Sequence, residues 1–356
     1  MSESADTNSK NFPAGTITAL HKLTRIYPVV LAAFVMVSVT GIFLGYDIWF
    51  HIKNGEYILQ HRVIPHKDVF LLSTPFLPEH YFTNYEWLFG VISFLLFKYF
   101  GFAGIHIFRT VVILTSLAFV YAASLKSGGG KNSVIGGQTA SILVFMAFLA
   151  SFSRFEPRPQ IVSALCLALF VFILAGRVSR MAPLFVFLIS LIWAKCHIEI
   201  IARIILICLI IGEKYTADRL QPGGQDGGNT AQHNKESLKY TIISLGAAIA
   251  GFLLSPTARG GLFQLKDYYS RSNVLLYSEE LAPLRDFFTS PYSILFIIGV
   301  ISFAAIACID KKHLTRLFVF LPFGLLPFFN SRHVLAASMV ITPIIAANLT
   351  GWISAY

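Results

Sequence analysis

The chain has 356 residues, of which 55% are hydrophobic and 13% are charged, and its mean hydropathy is +0.67. This composition is too apolar for a soluble domain of this size, so we predict a membrane protein that crosses the bilayer many times. The formal net charge of +10 agrees with positive cytoplasmic loops. It does not indicate nucleic acid as a partner, because no soluble basic face is predicted.

The chain begins with a polar segment and one apolar run. Residues 1–27 carry Lys10, Lys22 and Arg25, and we predict that they form a cytoplasmic tail. Residues 28–46 are long enough to cross a membrane, and no small-residue cleavage site follows them. We therefore predict a retained first span, followed by an outer loop over residues 47–102.

An apolar segment at residues 86–100 is short for a span, at about 15 residues. Its flanking Trp87, Lys98 and Tyr99, and the Gly101 that follows, are typical of a helix on the membrane surface. Treating the segment as a span would invert every later loop. With the segment on the surface, every later cytoplasmic loop is positively charged, which is the usual pattern.

The rest of the chain alternates apolar runs with polar breaks, and we predict an all-α, polytopic fold with about ten transmembrane helices in a single domain over residues 28–356. Residues 214–239, rich in Gly, Gln and Asn, are predicted to be a flexible cytoplasmic linker, and residues 255–291 a second long outer loop. After the first span, the predicted spans are 103–125, 134–153, 160–176, 182–196, 199–213, 240–255, 292–309, 315–329 and 333–352.

Acidic, basic and aromatic residues gather at the start of the first outer loop. Asp47 stands where the first span leaves the membrane, and His51 follows one helical turn later. An isolated aspartate at a helix end is more often simply solvated, but the neighbouring aromatics and His51 favour a functional site. Lys53, Asp68 and Glu86 are further candidates in the same loop.

A rigid outer turn follows the third predicted span. Pro157 and Pro159 keep this turn extended and stop the helices on either side. Glu156 and Arg158 lie within it, and the planar guanidinium suits a phosphate because it binds two oxygens at once. The alternative is contact with lipid headgroups, with the acid and the arginine forming an ion pair.

Two very short polar breaks carry the remaining candidates. The first contains Lys195, His197 and Glu199, and the second contains Arg332 and His333. Charges at membrane depth are costly and are often functional, although a lysine can also extend to the membrane surface. A phosphate-binding role is the natural one for the arginine.

No metal-binding or nucleotide-binding motif is present. The histidines and the four cysteines lie at spacings that match no zinc site, and the cysteines are interpreted as core residues. Glu279 and Glu280 could bind a metal, but a charge run in a loop is usually a solvated face. We therefore assign no metal ligand and no certain cofactor, and leave open a divalent metal held by residues that are distant in sequence.

Several of these residues form a recognisable pattern in the first part of the chain. It consists of Asp47 at the end of the first span, the run Gly55–Pro65 followed by Asp68, the aromatic stretch Tyr81–Gly90, and the opening of the next span, Gly101–Arg109. The pattern resembles the GT-C superfamily of integral-membrane glycosyltransferases, which use polyprenyl-phosphate-linked sugars. It is similar to aminoarabinose and protein-mannose transferases, and to bacterial membrane proteins with D-x-W-x-H, R-P-Q and W-x-x-x-H elements.

The resemblance implies a GT-C-like fold with membrane-parallel helices in the first outer loop, in a bacterial inner membrane. The implied partners are a polyprenyl-phosphate-linked sugar, a lipid or glycan acceptor, and membrane lipids. The implied base is Asp47, and we add His51 and Glu156 as catalytic candidates. Candidates for binding substrate or phosphate are Lys53, Asp68, Glu86, Arg158, Lys195, His197, Arg332 and His333. The chain lacks the W-W-D-x-G and D-x-D elements of some members.

The rival interpretation is a transporter of lipid-linked intermediates or a structural subunit of a cell-envelope complex. A transport path should place charges through the depth of the membrane. Here most charges cluster at one face, and the centres of the predicted spans are apolar except at Arg109 and Arg203. This distribution favours the enzyme.

Overall fold

The computed structural model describes residues 29–30, 32–38, 45–65, 69–70, 84–128, 134–197, 199–220, 229–256, 258, 284, 290–309 and 311–355. All regular secondary structure in these ranges is helical. A first helical segment covers residues 29–30 and 32–38. The helices that follow are α1 Asp47–His61, α2 Trp87–Ser127, α3 Val134–Ser151, α4 Gln160–Leu174, α5 Ala182–Cys196, α6 Ile200–Leu220, α7 Asn229–Leu253, α8 Pro291–Ala307, α9 Leu317–Phe329 and α10 Val334–Ala355.

Each apolar run predicted after residue 100 corresponds to one of these helices. Three helical stretches are long and apolar enough to cross a membrane, namely Trp87–Ser127, Val134–Arg154 and Ser331–Ala355. Shorter apolar helices accompany them. A 15-residue helix is only about 22 Å long, against a hydrocarbon core of about 30 Å. The all-helical fold is confirmed, and the apolar helices support a membrane protein, whereas the number of about ten spans stays a prediction.

Helix α2 is divided by a sharp bend at Gly101. This residue has φ 59° and ψ −149°, a conformation that side chains other than glycine strongly resist. A Cβ added at Gly104 would lie 2.7 Å from the carbonyl oxygen of Leu96. In a straight helix, residues 96 and 104 would be about 12 Å apart along the axis. Their close contact therefore shows that the two halves of α2 fold back on each other at Gly101. Residues 87–100 thus form a separate helix, as predicted.

Helix α1 packs against the first half of α2 with the two backbones almost in contact. A Cβ on Gly55 would overlap the carbonyl oxygen of Gly90. Beside this contact, the buried Asn84 Nδ2 donates a 2.9 Å hydrogen bond to Asn54 Oδ1. A shift of α1 along α2 would break both contacts. They therefore fix the position of α1 relative to the start of α2.

Helix α10 forms the centre of the bundle. In its most apolar 18-residue window, 83% of the residues are buried. It packs against α2, α3, α4, α8 and α9. The helix that ends the chain is therefore the common partner of helices from both halves of the sequence.

The helix ends form two groups, and the first group defines what we name the site face. Arg154, in the turn after α3, donates a 2.9 Å hydrogen bond to Ser331, in the turn before α10. Ser255, after α7, donates to the carbonyl oxygen of Ala194, near the end of α5, at 3.4 Å. All four residues belong to turns or helix ends that the sequence predicts to be outside.

The second group defines the opposite face. Here Lys214 Nζ, near the end of α6, donates to the carbonyl oxygen of Gly176 after α4, at 2.6 Å. Arg316 Nη2, just before α9, donates to the carbonyl oxygen of Ser127 at the end of α2, at 3.4 Å. The helices from α2 to α10 thus alternate between two faces, and the loops predicted to be cytoplasmic share one of them. Which face meets the cytoplasm stays a prediction.

One predicted loop differs in the structure. Helix α6 continues to Leu220 and α7 begins at Asn229, so residues 214–220 and 229–239 are helical where a flexible linker was predicted. Helix-forming residues extend both helices beyond their apolar parts. The intervening residues 221–228 lie outside the described ranges, as do the tail 1–27, Asp68, Glu279, Glu280 and most of the predicted outer loop 255–291.

Candidate functional site

Charged and polar side chains from five parts of the chain meet at the site face. We name this group the acid–histidine cluster, and it contains Asp47, His51, Glu86, Glu156, Arg158, His197, Glu199 and Arg332. They lie at the start of α1, before α2, in the turn before α4, after α5 and before α10. Every one of them is a polar residue at a helix end or turn that the sequence places on one face.

Arg158 joins two carboxylates at one edge of the cluster. Its Nε lies 2.7 Å from Glu156 Oε2 and 3.2 Å from Asp47 Oδ2. The Asp47 side chain is 56% exposed, whereas that of Arg158 is 21% exposed. Asp47 is therefore the carboxylate that faces solvent, and Arg158 holds it against the turn before α4. A phosphate bound by Arg158 would share the guanidinium with these two acids.

Glu86 lies between two histidines. Its Oε1 is 3.7 Å from His197 Nε2, and its Oε2 is 3.9 Å from His51 Nε2. Burial raises the pKa of Glu86 above its usual range, although His197 and Arg332 act in the opposite direction. The raised pKa favours the protonated, neutral form of this carboxyl group relative to an exposed glutamate.

His51 is almost completely buried at the interface between α1 and α2. Burial, together with the nearby His197 and Arg158, lowers the pKa of His51 to about 4. Its ring also packs edge-on against Phe89, with 5.0 Å between the ring centroids. His51 is therefore neutral at pH 7 and can act as a proton acceptor or donor beside Glu86.

His197 is held by a chain of buried hydrogen bonds. Its Nδ1 is 2.8 Å from Ser163 Oγ, which in turn accepts a 2.7 Å hydrogen bond from Trp193 Nε1. Because the indole N–H can only donate, the serine hydroxyl keeps its own proton for another acceptor. Trp193 is covered by Arg203, whose Cζ lies 4.2 Å from the ring centroid. These contacts fix the orientation of the His197 ring.

Glu199, Arg332 and Gln160 surround a small crevice beside His197. Glu199 Oε2 is 3.7 Å from His197 Nδ1. With its side-chain oxygen turned towards Arg332, Gln160 accepts hydrogen bonds from Arg332 Nε at 2.9 Å and from Arg332 Nη2 at 3.1 Å. The crevice has a volume of about 10 Å³, which is room for about one water molecule. Burial acts to raise the pKa of Glu199, but His197, Ser163 and Arg332 together lower it to about 2.

Of the other predicted residues, one lies at the edge of the cluster and the rest do not join it. His333 stands beside Arg332 at the start of α10, near Glu199. Lys53 points to solvent, with its side chain 63% exposed, and pairs with Glu56 at 2.7 Å. Lys195 lies beside Cys196, and within the described part of the chain no contact joins it to the cluster. Asp68 lies outside the described residues.

The sequence interpretation missed several uncharged members of the site. Ser163 and Gln160 contact His197 and Arg332, and Asn54 and Asn84 bond to each other between α1 and the start of α2. A single uncharged polar residue carries little signal in the local sequence. Trp193 is different. It is the first residue of the W-x-x-x-H element noted in the sequence, where it was assigned no role, and it reaches His197, just past the end of α5, through Ser163.

The geometry is suited to proton transfer and anion binding. No group of three or more His, Cys, Asp or Glu side chains is placed to hold a metal ion within the residues that the structure describes. Glu86 instead connects two histidines in a row, and the arginines lie at two edges of the cluster. Such an arrangement can take up a proton at one point and stabilise negative charge at another.

Comparison with known proteins adds no relative to this picture. No protein-family model matches the chain, and no curated protein matches it significantly. The resemblance to GT-C enzymes therefore stays a prediction from the sequence.

Proposed function

We propose that the protein is a membrane glycosyltransferase that moves a sugar from a polyprenyl phosphate to a hydroxyl group of a lipid or glycan acceptor. The main support is the acid–histidine cluster, which gathers carboxylates, histidines and arginines at one end of an apolar helical bundle. A lipid-linked donor and a polar acceptor would meet at such a boundary between membrane and water.

Asp47 is the proposed base. Its exposed carboxylate would accept the proton of the acceptor hydroxyl as that oxygen forms a bond to the anomeric carbon of the sugar. The bond between the anomeric carbon and the phosphate oxygen breaks at the same time, and polyprenyl phosphate leaves. Arg158 orients Asp47 through the 3.2 Å contact, which supports the precise placement that such a step requires.

Arg332 and His333 are the proposed partners of the leaving phosphate. They lie immediately before α10, which begins at Val334, so the positive end of the helix dipole also faces this region. Negative charge grows on the phosphate oxygen as the bond breaks, and the Arg332 guanidinium would stabilise that charge. Burial lowers the pKa of His333, so its ring would contribute as a neutral hydrogen-bond donor. The series His51, Glu86 and His197 would then redistribute the proton.

The proposal includes a GT-C-like arrangement of about ten spans in a bacterial inner membrane, with the site face outside. Exposed aromatic residues support a surface position for residues 87–100. Tyr99 and Phe100 are each 68% exposed, and Lys98 Nζ lies 5.8 Å from the ring centroid of Tyr99. Exposed aromatic and basic side chains of this kind are typical of the membrane interface.

Turnover of radiolabelled polyprenyl-phosphate sugars by the purified protein tests the proposal. With a panel of common sugars, we expect release of free polyprenyl phosphate, and a decrease of roughly 10²- to 10⁴-fold in Asp47→Asn. Glu56→Gln is the matched control, because Glu56 lies on the same helix and pairs with Lys53 away from the cluster. Its activity should equal that of the wild type.

Two results would contradict this assignment. Absence of both binding and release across the panel would favour the transporter or envelope-subunit interpretation. Turnover that survives Asp47→Asn unchanged would keep the enzyme but move the base to another carboxylate, with Glu86 the first to test.

A further inference from the structure

A cavity lies at the opposite face, remote from the acid–histidine cluster. It has a volume of about 150 Å³ and lies between α4, α6, α9 and α10. Lys214, Arg316 and Glu213 form its polar part, while Leu206 and Val340 belong to its apolar walls. The proposed glycosyl transfer does not use this cavity.

The cations at the cavity are held by neutral oxygen atoms. Lys214 Nζ donates to the carbonyl oxygen of Gly176 at 2.6 Å and to Ser237 Oγ at 3.3 Å. An ammonium group has three donors, and these two contacts within the described residues account for two of them. Arg316 Nη1 donates a 2.8 Å hydrogen bond to Asn348 Oδ1, which fixes the guanidinium at the rim. Both cations are therefore positioned before any ligand binds.

Three cations lie at or near the cavity. Lys126 lies close enough to Lys214 to act on it electrostatically, and it is held by the carbonyl oxygen of Phe172 at 3.0 Å. Against these two lysines and Arg316, the structure places one carboxylate in its described residues here, that of Glu213. Cations that are crowded together repel one another, and an anion that touches two of them relieves this repulsion.

The cavity changes from polar to apolar along its length. Leu206 and Lys214 both line it and are eight residues apart on α6, which is about 12 Å along the helix axis. Leu206 and Val340, at the deep end, are fully buried. A strongly hydrated ion would fill only the polar end, whereas a molecule with an anionic head and a hydrocarbon part would match both ends.

We propose that this cavity binds the phosphate group and the adjoining carbon atoms of an anionic phospholipid from the membrane leaflet at the opposite face. Arg316 and Lys214 would contact the phosphate, because guanidinium and ammonium groups are the usual phosphate ligands in proteins. A 150 Å³ cavity admits a group about the size of benzene, so the remaining chains would lie in the bilayer.

Binding of short-chain lipids to the full-length protein in detergent tests this proposal. The probes are dioctanoyl phosphatidic acid, dioctanoyl phosphatidylcholine and inorganic phosphate, and the readouts are native mass spectrometry and the thermal unfolding midpoint. We expect phosphatidic acid to bind most tightly. Lys214→Ala should weaken it roughly 10- to 100-fold, the usual effect of losing a charged hydrogen bond.

Two further variants separate binding from stability. Ile210→Phe fills the apolar part of the cavity and leaves all its charges, so it should abolish binding even if Lys214→Ala folds poorly. Lys235→Ala is the matched control, because Lys235 is an exposed lysine on α7, and it should bind like the wild type.

The outcomes are distinct. Binding of phosphatidic acid that is lost in Lys214→Ala and Ile210→Phe but kept in Lys235→Ala supports the proposal. Equal binding of inorganic phosphate and phosphatidic acid would overturn the lipid assignment in favour of a free phosphate. Binding that is absent, or the same for both lipids and all variants, would overturn the site itself.

Discussion

Gly55→Ala is expected to separate α1 from the first half of α2. A Cβ at this position would overlap the carbonyl oxygen of Gly90 and lie 2.8 Å from the Val91 nitrogen, whereas ordinary contact begins at 3.4 Å. Helix α1 would therefore have to retreat by at least about 0.6 Å from a closely packed neighbour. The retreat also stretches the 2.9 Å hydrogen bond between Asn84 and Asn54.

Two costs and one gain set the size of the effect. Overpacking a tight contact costs about 1–3 kcal/mol, and a disrupted buried hydrogen bond costs about 1–3 kcal/mol. Alanine is preferred to glycine within a helix by about 1 kcal/mol. We therefore expect a destabilisation of about 3 kcal/mol. Activity should fall as well, since the contact sets the distance between His51 and Glu86.

The assay is thermal unfolding of the purified protein in detergent, compared with Gly246→Ala. No atom lies within 4 Å of a Cβ at Gly246, in α7, so that change should be neutral or slightly stabilising. We expect Gly55→Ala to lower the midpoint by roughly 5 °C or more. Equal midpoints for the two variants would refute the argument that the backbones of α1 and α2 are in close contact.

Two further predictions concern the histidines. Acidification from pH 6.5 to pH 4 should destabilise the protein by up to about 3 kcal/mol, because the folded-state pKa of His51 is about 4 and the unfolded chain takes up the proton first. Glu86 acts in the opposite direction, since its raised pKa favours folding at low pH. The test is therefore the difference in unfolding midpoint against pH between wild type and His51→Asn, and identical pH curves would contradict it. Ser163→Ala should cost about 1–3 kcal/mol, because it leaves the buried Trp193 N–H without its acceptor, and it should alter the pH profile of turnover by releasing the ring of His197. Ser116→Ala, which removes only a bond to its own helix, is the control, and an effect of the same size in both variants would show that Ser163 has no special role.

The helices could be predicted because the length of an apolar run determines how far a buried helix extends. The run 182–196 corresponds to α5 at both ends, since polar residues stop it on each side. The prediction failed at residues 214–239. The glycines in the middle of this segment suggested a flexible linker throughout, whereas the helix-forming residues on either side extend both helices. The average composition of a segment does not show where a helix ends, because an existing helix is extended one residue at a time.

The site was predictable in its charged residues but not in their pairing. Glu156, Arg158 and His197 stand out because charges are rare in this chain. Nothing in the local sequence indicates that Glu86 lies between His51 and His197, since that contact depends on how α1, α2 and α5 pack. Ser163 was missed for a related reason, because a serine inside an apolar helix usually bonds to its own backbone.

The central position of α10 has a consequence for how the protein is made. Because α10 leaves the ribosome after the helices that it packs against, those helices must wait in the membrane without the partner that several of them share. Arg332, at the head of α10, reaches Gln160 only when that helix is inserted. A chain truncated before α10 would therefore lack both its packing centre and one edge of its candidate site, so α10 must be inserted before the protein can act.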